Sequence, residues 1–472
     1  MSARPWHHLW LPAALLALLL LPAAPATALI AAMLAASAVR TVRLATGWRR
    51  ASATAQHGAI VLGVDGRGRP VALRDDELSA HGLILGASGA GKTTTLLTIL
   101  TEQIRRGRPV VAIDLKGSPA FTRTLAEAAA GAGRPFQAWT LDGGAYWNPL
   151  AHGNATELKD KLIGTERFTE PHYMRAAERY AQIALQVLLS VHPGRPPTLE
   201  QVVALMDPAR LASTLRHVEA PLRERIQDYR AGLTPDQLSA IRGLQTRLAV
   251  LTESHTGAFL NPPANPHAAT IDLREALSGR EVVVFSLNSS RYGKLAAQVG
   301  TLVVQDLVSA SGELVERPGT EPAVIGIDEF SALGADHVIA LLERGRESGL
   351  CVLVATQELA DLERAARGLK DQVIGVTAVK IVHRQEVPDS AQTIALMAGT
   401  EKVWDETRQL TGGLLGAYET GRGTRRLLEQ PIVHPNQIKT LRTGEAVLIS
   451  KIRGTRPRTV RISPPRRDGP AL

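Results

Sequence analysis

The sequence predicts an α/β fold with a parallel central sheet, a mostly α-helical inserted domain and an N-terminal transmembrane segment. Three observations carry this. A glycine-rich loop, GASGAGKTTT (86–95), lies between an apolar run and a helical pattern. A second apolar run, AVIGIDEF (323–330), ends in two carboxylates. Residues 9–39 contain no charged side chain.

The loop fits GxxxxGK(S/T), with Gly86, Gly91, Lys92 and Thr93 at the defining positions. HGLILG (81–86) is apolar enough for a buried strand, and TTTLLTILTEQIRR (93–106) repeats apolar residues at helical spacing, so the context is that of a phosphate-binding P-loop. In such a loop the backbone N–H groups of Gly86, Ala87, Ser88, Gly89, Ala90 and Gly91, with those of Lys92, Thr93 and Thr94 at the helix start, turn toward phosphate oxygens. Lys92 then reaches the β- and γ-phosphates, and the Thr93 hydroxyl suits Mg²⁺, a hard cation that prefers oxygen ligands. ATP and Mg²⁺ are the expected substrate and metal.

Composition narrows the classes. With 472 residues and 44% hydrophobic content, the chain can bury a large core and is not disordered overall. A net charge of +9 fits a polyanionic partner or an anionic membrane surface, and equally an arginine-rich genome. The single cysteine, Cys351, excludes a disulfide framework and a cysteine-based zinc site within one chain, and the 13 histidines show no metal-binding spacing.

As continuous helix, residues 9–39 would extend roughly 46 Å, against about 30 Å of hydrocarbon, so one tilted or proline-kinked span fits. A hairpin folded at Pro22 and Pro25 has arms of only about 13 residues, which are short for two spans. Arg40, Arg43, Arg49 and Arg50 follow the stretch while only Arg4 precedes it, which places the carboxyl side in the cytoplasm. A cleaved secretory signal is the competing reading, but it would export a nucleotide site to where ATP is scarce.

Along the chain, residues 1–57 read as anchor and basic juxtamembrane linker. Residues 58–154 hold two strands around a DGRGR turn, the P-loop unit, and PVVAIDLKGSP (109–119), a strand whose end carries Asp114 and Lys116; ligands collect at that edge of a parallel α/β sheet, and a solvated turn pair is the favoured reading of the two residues by themselves. From 155 to 265 apolar residues recur every three or four positions, the mark of an all-α insert, and PGRPPT (193–198) and NPPANP (261–266) punctuate it. Strand texture returns over 266–462, and 463–472 read as a basic flexible tail.

The end of AVIGIDEF completes the chemistry. Asp328 is the candidate Mg²⁺ carboxylate and Glu329 the candidate base that polarises attacking water. On the next apolar run, CVLVATQ (351–357), Gln357 is a candidate γ-phosphate or water sensor. Between them, Arg344 and Arg346 are candidates for a finger reaching a neighbouring subunit's ATP.

With these residues in hand, the chain resembles the type IV secretion coupling proteins of conjugation (TraD/TraG type), within the wider FtsK/HerA group. The resemblance spans about 58–462 and rests on HGLILGASGAGKTTT, AIDLKGSP, YWNPL (146–150), IGIDEFSAL (325–333), RESGLCVLVATQELADL (346–362) and TGEAVLISK (443–451). It implies a RecA-like P-loop motor with an all-α insert, a membrane anchor in the cytoplasmic membrane and homo-hexameric assembly. It also implies ATP-driven passage of single-stranded DNA, with a relaxase and the secretion channel as partners. Lys92, Thr93, Asp328, Glu329 and Gln357 take the family's nucleotide, metal, catalytic and sensor roles, and Arg346, eleven residues before Gln357, matches its arginine finger better than Arg344. The apolar segment departs from the pattern of two full spans.

Other classes fit less well. An ABC transporter needs its LSGGQ-like signature before the Asp-Glu strand, whereas LTGGL (410–414) follows it. A duplex-DNA pump of HerA or FtsK type and an ATP-binding scaffold of a secretion complex remain open, although a pure scaffold has no need of Glu329. For DNA contact, SSRYGK (289–294) is a candidate through Arg291, Tyr292 and Lys294, and is equally a surface helix start.

Overall fold

The strands expected to be buried alternate between two apolar layers. In the computed structural model, which describes residues 58–466 apart from 166, 167, 169, 264, 266, 315–321, 334, 414, 415 and 453, the P-loop strand β3 (Gly82–Leu85) turns Leu83 and Leu85 to one face and Ile84 to the other. β4 (Val110–Asp114) does the same with Val111 and Ile113 against Val110 and Ala112. Two-sided burial of β-branched strands requires helices on both faces, which is what a parallel sheet built from crossovers supplies.

The remaining strands are β1 (Ala59–Val64), β2 (Pro70–Arg74), β5 (Phe136–Thr140), β6 (Gly143–Gly144), β7 (Tyr146–Trp147), β8 (Thr270–Ile271), β9 (Val282–Ser286), β10 (Val324–Asp328), β11 (Cys351–Thr356), β12 (Val379–Val382), β13 (Thr400–Gly413), β14 (Gly416–Pro431), β15 (Glu445–Ser450) and β16 (Arg458–Ile462). The main sheet has 12 strands in the order β2-β1-β16-β15-β12-β3-β11-β10-β4-β9-β5-β6. From β12 to β5 all neighbours are parallel, and the flanks are antiparallel. The carboxyl ends of β3, β11, β10 and β4 therefore lie side by side, where ligands collect in open α/β sheets.

On one face, α1 (Lys92–Arg105) buries Leu96, Ile99, Leu100 and Ile104, and α2 (Pro119–Gly131) adds Phe121 and Leu125. The other face carries the all-α segment. Its helices are α3 (Ala155–Ile163), α4 (Pro171–Val191), α5 (Leu199–Leu205), α6 (Pro208–Thr214), α7 (Ala220–Ala231) and α8 (Pro235–Thr252). They share one apolar cluster with α9 (Ser289–Leu314) and the sheet.

YWNPL joins the two parts. Trp147 packs edge-on against Trp139 and Phe285, and its indole N–H donates to buried Asp306 of α9 at 3.0 Å. Lys161 of α3 meets the other oxygen of Asp306 at 2.7 Å, and Asn148 donates to Pro197 O at 3.0 Å.

Among the described residues no helix is long and apolar enough to cross a membrane, and the stretch 9–39 expected to span one lies outside them. The basic tail begins later than 463. Thr98 donates to Ser463 O and Arg105 to Arg466 O, both at 2.8 Å, so this segment lies along α1, while 467–472 are outside the described residues. The LTGGL region belongs to a long two-stranded hairpin, β13–β14, that the sequence reading did not anticipate.

Candidate nucleotide site

The P-loop leaves β3 and closes onto α1 at Gly91. This residue adopts φ 119, which favours glycine, and a Cβ there would be tight, 3.2 Å from His383 and 3.3 Å from Gly444. Lys92 is buried and turns back over the loop, donating to Gly86 O at 2.6 Å and Ala87 O at 3.3 Å. Burial lowers its pKa, and Glu329, 3.8 Å away, opposes that shift.

Five of the residues singled out in the sequence converge here. Thr93 Oγ1 donates to Asp328 Oδ2 at 2.7 Å. Asp328 is wholly buried at the end of β10, and its other oxygen, Oδ1, has no hydrogen-bond partner among the described residues. A buried carboxylate oxygen left without a donor, beside a hydroxyl, is a hard-oxygen donor set that suits Mg²⁺. Glu329 follows in the left-handed region at φ 59, a conformation costly for a non-glycine residue and enriched at active sites. Gln357 Nε2 donates to Glu329 Oε1 at 3.3 Å.

Arg346 does not join them. It is exposed in the last turn of α10 (Ala335–Glu347), at the start of β11, whereas Gln357 follows that strand's far end. Its charge acts instead near His81 at the start of β3. Arg344 is likewise exposed in that turn. Arg291 and Tyr292 sit at a kink in the first turn of α9 and both reach Asp142, at 3.4 and 2.7 Å, as befits a helix start.

Three site residues carried no clear signal in the sequence. Both members of the pair read more readily as a solvated turn belong to the site, Asp114 buried and Lys116 exposed. Asp114 is buried and its pKa is pushed up to about 6 by that burial, against the backbone N–H of Ser118; Lys116 reaches Glu329 at 2.8 Å. His383, just beyond β12, accepts or donates at 2.8 Å with Thr95 and meets Glu445 O at 2.9 Å. Burial lowers its pKa to about 4, with the Glu445 carbonyl opposing and Lys92 adding to the shift. A lone histidine at a strand end gives no pattern to detect. Beside the P-loop, a recess of about 370 Å³ opens between Thr94 and Leu97 of α1, Ala120 and Arg123 of α2, and Pro464.

Known proteins resemble this arrangement. Residues 322–443 match the family described as the TraM recognition site of TraD and TraG, and residues 42–111 match the FtsK/SpoIIIE family. No curated protein matches the chain in sequence. Among solved structures, the bacterial conjugative coupling protein TrwBΔN70 in its unbound monoclinic form is similar with a TM-score of 0.63 at 15% identity, over 87% of this chain and 90% of that one. The plasmid coupling protein TrwB in complex with ADP and Mg²⁺ is similar with a TM-score of 0.62 at 14% identity, over 87% and 90%. VirB4 of Thermoanaerobacter pseudethanolicus is similar with a TM-score of 0.54 at 15% identity, over 86% and 96%. The chain is similar to the coupling protein TrwB in fold, to TraD and TraG over 322–443 and to the FtsK/SpoIIIE family over 42–111, and its site is that of a P-loop ATPase.

Proposed function

We propose that this chain is a membrane-anchored, ATP-driven motor that delivers single-stranded DNA to a type IV secretion channel in conjugation. The observation that carries the reading is the convergence of Lys92, Thr93, Asp328, Glu329 and Gln357 at one edge of a sheet with the coupling-protein fold. The reading keeps an anchor at 1–57 in the cytoplasmic membrane, with the ATPase domain (58–154 and 266–462) and its all-α insert (155–265) in the cytoplasm. A homo-hexamer, a relaxase and channel proteins complete the assembly. The match of 322–443 to a TraM recognition site supports a protein partner on that segment.

The chemistry follows from the chain's own residues. The P-loop amides and Lys92 bind the phosphates. Thr93 and Asp328 would hold Mg²⁺, which would supply charge neutralisation on the transferring phosphoryl group. Glu329 accepts the proton of the attacking water and Gln357 steadies the carboxylate. Arg346 acts on a neighbour's nucleotide, which requires the neighbour's P-loop to meet the sheet edge opposite this chain's own. A duplex-DNA pump is the second reading, favoured by the FtsK/SpoIIIE match over 42–111.

The test is translocation by the full-length chain in detergent or nanodiscs, read as displacement of streptavidin from biotin-ended oligonucleotides. ATP-dependent displacement from single strands supports the transfer motor, and displacement from duplex alone supports the pump. ATP binding with neither DNA-responsive hydrolysis nor displacement supports the scaffold.

A further inference from the structure

Lys116 has no role in the account above, yet the turn that carries it is built. Asp114, at the end of β4, accepts the backbone N–H of Lys116 at 3.0 Å and of Ser118 at 2.5 Å. Gly117 adopts φ 67, and a Cβ there would lie 2.4 Å from Asn288 Cβ and 2.5 Å from its Cα, so only glycine lets the turn close against the segment after β9. That segment is tied to the turn on both sides of the clash, by Leu287 N–H to Asp114 O at 2.9 Å and Ser289 N–H to Leu115 O at 2.7 Å.

The braced backbone aims one side chain. β4 pairs with β10 in register, Asp114 beside Asp328, and Lys116 reaches across that seam. Its ammonium lies 2.8 Å from Glu329 Oε1 and 3.6 Å from Asp328 Oδ2. Gln357 at 3.3 Å and Lys92 at 3.8 Å approach the same Oε1. Among the described residues Oε2 of Glu329 has no hydrogen bond or ion pair. A carboxylate held by one oxygen presents the other in a fixed direction, which is the geometry a general base needs toward a water proton. Lys116 makes the shortest of the three contacts. Lys92 turns to the Gly86 and Ala87 carbonyls and is assigned to the phosphates, and the Gln357 amide brings no charge.

We propose that Lys116 is a positioning residue for hydrolysis: it anchors Oε1 of Glu329 so that Oε2 faces the attacking water. The inference rests on the reading of Glu329 as the base. A charge-assisted hydrogen bond of this kind orients its partner as well as neutralising it, and an arginine at the same turn supplies the same charge and donors.

The test uses the full-length chain with Mg²⁺ and ATP, comparing wild type, Lys92→Ala, Lys116→Met, Lys116→Gln and Lys116→Arg. Turnover is measured together with the Kd of a fluorescent ATP analogue and the melting temperature. Lys116→Met and Lys116→Gln should lower kcat ~10- to 100-fold, the range for one charged hydrogen bond, and leave Kd within about threefold. Lys116→Arg should recover much of the rate, and the melting temperature should hold. Two neutral variants keep the comparison valid if one of them folds poorly. A kcat within about twofold of wild type in both neutral variants overturns the inference, as does a Kd that weakens in step with kcat, the mark of a direct phosphate ligand. Wild-type chain that binds ATP without turning it over overturns the reading of Glu329 and this inference together. Wild-type turnover with inert Lys116 variants overturns the inference alone.

Discussion

Thr93 Oγ1 and Asp328 Oδ2 lie 2.7 Å apart although 235 residues separate them in the chain. The contact exists because β10 is separated from the P-loop strand only by β11, which sets both residues at the carboxyl edge of the sheet. The other oxygen of Asp328 is buried without a donor among the described residues, so the pair is placed to take a cation. Thr93→Val should therefore weaken apparent Mg²⁺ affinity at least ~10-fold without unfolding the chain, measured by titrating Mg²⁺ at fixed ATP. Unchanged Mg²⁺ dependence would remove Thr93 from the metal site.

Glu329 is held in an unfavourable backbone conformation beside Lys92, Lys116 and Gln357. Glu329→Gln keeps the shape and removes the proton acceptor. Turnover should fall ~10²- to 10⁴-fold, the range for general-base catalysis, with nucleotide binding retained. Loss of binding in parallel with turnover would assign Glu329 to substrate binding instead.

The sequence was most informative where chemistry and local pattern coincide. The P-loop between strand and helix, and the carboxylates closing β10, could be read because each motif sits at the end of an apolar run. Lys116 is exposed as the solvated reading has it, but its contact with Glu329 was not legible because its partners are set by strand order. Nothing in AIDLKGSP reveals that β4 lies beside β10. The β13–β14 hairpin escaped for another reason. Trp404 is 61% exposed and faces Leu427 across the ribbon, also exposed, amid charged neighbours, so no buried face imposes the two-residue alternation that marks a strand.

The joint between insert and sheet should be fragile to a single deletion. Asp306 is buried and receives both Trp147 and Lys161. Asp306→Ala strands the Lys161 ammonium, which is nearly fully buried, and such a broken pair costs about 3–5 kcal/mol. Thermal and urea unfolding should show a marked loss of stability. A loss below about 1 kcal/mol would mean that the interface relaxes or admits water.

Two buried histidines make the fold acid-labile. His81 accepts the Val352 backbone N–H at 3.1 Å, and burial lowers the pKa of His81 and of His383 to about 4. The unfolded chain binds these protons near pH 6.5, so stability is full above that value and falls as pH drops toward 4. Each histidine accounts for on the order of 3 kcal/mol across the window. Urea midpoints measured from pH 7.5 to 4.5 should fall, and His81→Asn, which keeps an acceptor for Val352 and tolerates the positive φ, should flatten the slope. An equal slope in that variant would exclude His81 as a source.

The most direct test of the central claim is steady-state ATP hydrolysis by the full-length chain without DNA, with single-stranded DNA and with duplex DNA, beside Lys92→Ala. The account predicts strong stimulation by single strands that disappears in the variant. Turnover indifferent to any DNA, in chains shown to assemble and to bind ATP, would contradict it.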